Sequence, residues 1–157
     1  MLQFVKTDSK NSDFIHLVEQ LDADLAVRDG DEHAFYHQFN KIDMLKHVVV
    51  AYEDGIPQGC GAIKEIDPQT VEIKRMYTTP YNRGKGIASR ILKDLEDWAK
   101  ELNFDRCVLE TGKKQPEAIA LYTKNGFVSI PNYGQYKGIE NSLCFEKKIT
   151  HSSYNKL

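Results

Sequence analysis

The run Arg83-Gly84-Lys85-Gly86-Ile87-Ala88 stands between a strand pattern, Val71 to Thr79, and an amphipathic helix pattern, Ala88 to Leu102. A glycine-rich turn that opens a helix presents several backbone N–H groups at the positive end of the helix dipole, which suits a pyrophosphate. Gly84 and Gly86 remove side chains where a phosphate would approach the backbone, and they permit positive φ. Arg83 and Lys85 add charge beside the turn. The chemistry legible in this run is the holding of a phosphate-bearing ligand.

Several phosphate chemistries compete for it. A triphosphate loop needs Gly-Lys-Ser/Thr after four spacers, and the run lacks it. A dinucleotide unit wants a third glycine where Ser89 stands, inside a parallel strand–helix–strand unit. The strands before this turn are linked by hairpins, which counts against that context. A helix-start turn with no ligand is the remaining alternative.

The elements that must position the turn follow from patterning. Phe4-Val5-Lys6 reads as a short strand, and Asn11-Ser12-Asp13 as helix N-cap chemistry ahead of the stripe Phe14, Ile15, Leu17, Val18, Leu21 and Leu25. Gly30 ends that helix, and Asp31 to Ile42 reads as a second one, rich in polar aromatics. His47 to Tyr52, Ile56 to Ile66 and Thr70 to Thr79 form an antiparallel meander, turned at Asp54-Gly55 and Asp67-Pro68. The helix after the turn carries Ile87, Ile91, Leu92, Leu95, Trp98, Ala99 and Leu102. Cys107-Val108-Leu109 is a buried strand. Pro116 opens another helix that Asn125-Gly126 closes. Phe127-Val128 and Ser142 to Ile149 are late strands.

The chain has 157 residues, the size of one domain, and no repeat or linker divides 1–157. Residues 150–157 form a polar tail. Apolar residues make up 41% and charged residues 28%, an ordinary globular balance. A net charge of −2 offers no argument for nucleic acid or a membrane surface. Cys60, Cys107 and Cys144 are widely spaced in apolar runs, which predicts buried reduced thiols and a cytoplasmic location. No paired Cys or Cys/His spacing points to a metal. Met1-Leu2-Gln3-Phe4 lacks an export-signal pattern, and no apolar run nears the roughly 18 residues of a membrane span.

Three segments in order carry a resemblance: Val71 to Pro80, Arg83 to Ala88, and Ala118-Ile119-Ala120-Leu121-Tyr122 with Gly126-Phe127. Together they resemble the GCN5-related N-acetyltransferases, over roughly Phe4 to Lys148. The resemblance implies an α+β fold in three α/β/α-like layers. Its sheet would be mixed and mostly antiparallel, of six to seven strands, with helices on both faces. It implies acetyl-CoA as co-substrate and an amine acceptor, either a small molecule or a protein. Homodimers through the late strands are frequent in that family.

The resemblance places the coenzyme A pyrophosphate on the backbone of Arg83, Gly84, Lys85, Gly86, Ile87 and Ala88. The pantetheine arm would run along Met76, Tyr77 and Thr78, where a backbone N–H would polarise the thioester carbonyl. Tyr122 would be the general acid that protonates the departing thiolate. Gln115 stands where the family commonly has Asn, in reach of an amide of the cofactor arm. Tyr81 stands where the strict register has Gln or Arg, and Arg83 with Gly86 and Ala88 satisfies the pattern two residues later. A non-catalytic acyl-CoA-binding module of the same fold is the alternative function.

An alkylamine acceptor, with a pKa of about 10.4, arrives protonated and must lose a proton before it attacks a thioester. Glu72 is the candidate base, since strand alternation would put Glu72, Lys74, Met76 and Thr78 on one face. Its alternative is a surface glutamate paired with a lysine such as Lys64. Glu110, at the end of the next strand, is the second choice. The acceptor pocket would come from His33, Tyr36 and His37 on the second helix, and from Asn132, Tyr133 and Tyr136 in the late loop. Those tyrosines could instead cap an exposed edge of the core.

Overall fold

The computed structural model describes residues 1–29 and 44–149. Along the chain its elements are β1 (Leu2–Thr7), α1 (Ser12–Asp29), β2 (His47–Glu53), β3 (Ile56–Asp67) and β4 (Thr70–Thr78). Then come α2 (Ile87–Glu101), β5 (Arg106–Gly112), α3 (Pro116–Lys124), β6 (Val128–Ile130) and β7 (Ser142–Lys148). Short 3₁₀ turns occupy Pro80–Asn82 and Gly134–Tyr136. The expected second helix, Asp31 to Ile42, lies outside the described residues, and His33, Tyr36 and His37 with it.

Local chemistry accounts for the boundaries. Asn11 Oδ1 accepts the Phe14 N–H at 2.9 Å and so caps α1. Asp54 and Gly55 both take positive φ, 51° and 81°, the requirement of the tight hairpin that joins β2 to β3. Gly126, at φ 91°, follows the last turn of α3. Among the described residues no helix is long and apolar enough to cross a membrane.

The strands form one sheet in the order β1-β2-β3-β4-β5-β7-β6. β1–β2, β2–β3, β5–β7 and β6–β7 pair antiparallel. β4 and β5 pair parallel, as a connection through a helix allows. Seven strands in a mixed, mostly antiparallel sheet agree with the expected fold. The β4–β5 ladder runs from Thr70–Arg106 to Glu72–Val108 and stops there.

Among the described residues the chain forms two compact units. One holds the residues up to Lys64 with Ile73–Leu95; the other holds Glu65–Glu72 and the chain from Glu96 on. In the first, Phe14, Leu17, Val18 and Leu21 of α1 pack on Val48, Val50, Cys60 and Ala62. The intervening β3 positions, Gly59 and Gly61, face α2. A side chain at Gly59 would come within 2.8 Å of the Tyr77 carbonyl oxygen, and one at Gly61 would collide with Met76 and press on Ile91 and Leu95. These glycines let α2 and β4 approach. In the second unit Cys107, Leu109, Tyr122, Phe127 and Phe145 are buried, and Lys147 reaches the buried Glu96 at 2.7 Å. Arg106 pairs with Glu146. The three cysteines are free and buried, as expected.

β4 contains an irregularity that nothing in its composition announces. Arg75 takes φ 60°, a left-handed conformation unusual for a residue with a side chain. Two contacts hold it. Its Nη2 donates to Asp22 on α1 at 2.7 Å from a side chain only 2% exposed, and its carbonyl accepts the Cys60 thiol at 3.4 Å. Asp22→Ala removes the carboxylate from a buried guanidinium. It is expected to destabilise the protein by about 2 kcal/mol, because Asp22 is partly exposed and water softens the loss. The check is a lower urea midpoint at unchanged m value.

Candidate active site

The end of β4 and the glycine turn belong to the first unit. Gly84 and Gly86 sit at φ 78° and 82°, so the turn uses the backbone freedom that only glycine supplies cheaply. A Cβ at either position would meet nothing within 4 Å, which leaves the turn's surface open. The first bond of α2 is Arg90 N–H to Gly86 carbonyl at 3.1 Å, so the helix axis begins at the second glycine. Ile87 is buried, so its backbone is what it can offer a ligand.

Arg83 does more than add charge. Its Nε donates to the Thr78 carbonyl at 2.9 Å, and its guanidinium lies 5.6 Å from the centre of the Tyr77 ring. The side chain therefore straps the turn to the end of β4. Asn82 donates to Thr79 Oγ1 at 2.7 Å and accepts from Lys85 at 3.5 Å. Tyr81 is 93% exposed in the 3₁₀ turn and takes no part in this strap. Thr78 Oγ1 is buried and has no hydrogen-bond partner among the described residues. Met76 packs against the Gly61 position that faces α2, whereas the Tyr77 hydroxyl donates to Gln20 on α1 at 3.4 Å.

The left-handed Arg75 interrupts the regular alternation of β4. Simple alternation does not carry through it, so Glu72 and Lys74 are not placed on the face of Met76 and Thr78 by counting residues. Glu72 pairs in register with Val108 in the second unit.

There Glu72 is only 6% exposed, which excludes the surface-glutamate reading. Tyr133 donates its hydroxyl to Glu72 Oε2 at 2.6 Å, a short charge-assisted bond. Burial and the Glu72 carboxylate raise the Tyr133 phenol well above the ordinary range, so it stays a donor. The loop that carries Tyr133 is pinned. Asn132 Nδ2 donates to the carbonyls of Ile139 and Ser142 at 3.0 and 3.1 Å. The Tyr133 N–H bonds the Cys144 sulfur, and the Tyr133 ring stands edge-on to Tyr136 at 5.8 Å. Tyr136 is buried, and the charges of Glu110 and Glu72 add to burial in raising its phenol. Glu110 sits opposite Cys144 in the β5–β7 ladder.

Tyr122 is 6% exposed on α3, with its ring 5.8 Å from Phe127 and 6.4 Å from Phe145. Burial, helped by Glu110, raises its phenol, which is therefore neutral and able to donate. Gln115 occupies the cap position of α3, but its side chain makes no capping bond.

The structure thus assembles Glu72, Tyr133, Tyr136 and Glu110 in the second unit, and the strapped glycine turn with Met76, Tyr77 and Thr78 in the first. Tyr36 lies outside the described residues. Sequence patterns missed Arg75 and the clamp by Asn132. An Asn after Pro131 at a loop start is a turn signal that pointed to the latter. Among the described residues no group of three or more His, Cys, Asp or Glu is arranged to hold a metal ion.

The model of the Acetyltransferase (GNAT) family matches residues 14–127. An "IAA acetyltransferase" of Azospirillum brasilense is 34% identical over 139 residues, which cover 86% of this chain and 90% of that protein. A crystal structure from Klebsiella pneumoniae, classed as an acyl-CoA N-acyltransferase, superposes with TM-score 0.81 at 27% identity, covering 96% of this chain and 99% of that one. An N-acetyltransferase of Thermoplasma acidophilum, solved with coenzyme A, shares the fold at TM-score 0.70 and 19% identity, over 94% and 99% of the two chains.

Proposed function

This chain belongs to the GNAT acetyltransferase family, whose co-substrate is acetyl-CoA, and on that premise we propose that it is a single acetyltransferase domain acetylating a primary amine by direct attack in a ternary complex. The observation that carries the reading is the turn Arg83 to Ala88. Its two left-handed glycines, its open surface and the helix that starts on it fit a pyrophosphate.

Acetyl-CoA supplies the acetyl thioester; the chain supplies position, charge stabilisation and proton handling. Backbone N–H groups of Met76 to Thr78 are the proposed donors to the thioester carbonyl as negative charge develops on it. Glu72 is the proposed base that takes the amine proton, directly or through a water, with Glu110 as the second carboxylate. Tyr133 holds the Glu72 carboxylate at a fixed atom. Tyr122, a neutral phenol, is the proposed donor to the departing thiolate. His33, Tyr36 and the late loop are the proposed source of acceptor contacts.

The cysteines argue for direct attack. Burial pushes the thiols of Cys60 and Cys107 up to about 12, and that of Cys144 up to about 11. An acetyl-cysteine intermediate needs a thiolate, and thiols held this high do not supply one near neutral pH. Initial rates with both substrates varied test the point. Intersecting double-reciprocal lines and no acetylated protein by intact mass are expected. Parallel lines with an acetylated cysteine would overturn direct attack.

Gly86→Ala tests the turn itself. A β-carbon at φ 82° costs roughly 1–2 kcal/mol. Coenzyme A affinity is therefore expected to fall severalfold in a calorimetric titration, where an unchanged affinity would remove the turn from the cofactor site.

A further inference from the structure

Asn141 immediately precedes β7, and its backbone carbonyl accepts the Lys113 N–H at 2.9 Å. Its side-chain Nδ2 is buried and donates to nothing among the described residues. Buried amide N–H groups almost always have a partner, so an orphaned one needs an explanation. A second amide points to the same place. A side chain at Gly112 would come within 3.3 Å of Gln115 Nε2 and 3.6 Å of Asn141 Nδ2. Gly112 is not at positive φ, so its bare Cα serves space rather than backbone conformation. Gln115 does not use its side chain to cap α3, a nine-residue helix whose positive dipole end lies there.

Two N–H₂ groups converging over a glycine suit a neutral acceptor oxygen. A carbonyl satisfies both donors through its two lone pairs and demands no counter-charge. The pantetheine arm of acetyl-CoA carries amide carbonyls. We infer that Asn141 and Gln115 form a two-donor subsite for an amide carbonyl of that arm, so that Asn141 is a binding residue for the acyl donor. The inference rests on the acetyl-CoA reading above. Asn141 then supplies a second amide donor next to Gln115, the residue expected to reach the cofactor arm.

The test is calorimetric titration of Asn141→Leu and Asn141→Asp with two probes: acetyl-CoA, and adenosine 3′,5′-bisphosphate, which lacks the arm. Loss of one well-placed hydrogen bond is expected to weaken acetyl-CoA about tenfold in Asn141→Leu. Asn141→Asp is expected to weaken it further, since an acceptor replaces the donor and faces the ligand oxygen. Bisphosphate affinity stays within about twofold in both variants, which also shows that they are folded. Equal weakening of both probes would reveal a structural role and overturn the subsite. So would unchanged acetyl-CoA affinity with a raised KM for the amine, which would assign the donors to the acceptor instead. Failure of the unaltered protein to bind acetyl-CoA would overturn the acetyltransferase reading and the subsite together, a result distinct from the other two.

Discussion

Tyr122→Phe is expected to lower kcat by about a hundredfold or more, with the affinity for acetyl-CoA unchanged. The substitution removes one oxygen and keeps the ring that packs on Phe127 and Phe145, so the fold around α3 stays intact. What disappears is a neutral O–H in a buried setting. Burial and Glu110 hold that phenol above its ordinary range, so it is protonated throughout the working pH and can meet developing negative charge on sulfur. A poor leaving thiolate depends on such a donor more than a good one. The variant's defect should therefore shrink with an aryl thioester donor, whose thiolate leaves unassisted. Full kcat on acetyl-CoA in the Tyr122→Phe variant would remove Tyr122 from the chemistry.

Glu72→Gln is expected to lower kcat/KM by about a hundredfold near pH 7. The carboxamide oxygen can still accept the Tyr133 hydroxyl, which donates at 2.6 Å in the unaltered protein, so charge is lost and shape is kept. The sign of the pH dependence follows from the acceptor. A free alkylamine has a pKa of about 10.4, so at pH 7 almost all of it carries the proton a base must remove. As pH rises the neutral fraction grows in solution and the need for Glu72 falls. The gap between Glu72→Gln and the unaltered enzyme should thus narrow toward alkaline pH. A gap that stays constant over the whole range would mean that the carboxylate binds the acceptor and takes no proton. Glu110→Gln, compared in the same series, decides which of the two carboxylates is the base.

Features set by neighbours in the chain are legible in the sequence. The Asn11 cap, the Asp54-Gly55 hairpin and the α2 stripe each depend on residues within a turn of one another, and each stands where patterning put it. The glycine turn was legible because positive φ beside a helix start demands glycine. What escaped depends on residues far apart. Nothing local marks Arg75 as left-handed; the reasons are Asp22, 53 positions before it, and the Cys60 thiol. That conformation interrupts period-two alternation between Glu72 and Met76. The bond that defines Glu72, from Tyr133, spans 61 positions. The convergence of Asn141 with Gln115 over Gly112 follows from how the start of β7 meets the end of β5, and neither segment carries a motif. Polar residues in a strand or loop read as surface until a partner from a distant segment is known.

Acetyl transfer from acetyl-CoA to an amine is the proposed activity of this protein. The most direct measurement incubates the protein with acetyl-CoA and a panel of primary amines, follows free thiol, and identifies the acetylated product by mass. Thiol release is expected to depend on the amine and to match the N-acetylated product mole for mole. Tight acetyl-CoA binding with no amine-dependent thiol release across the panel would contradict it, and would make the chain an acyl-CoA-binding module on an acetyltransferase fold.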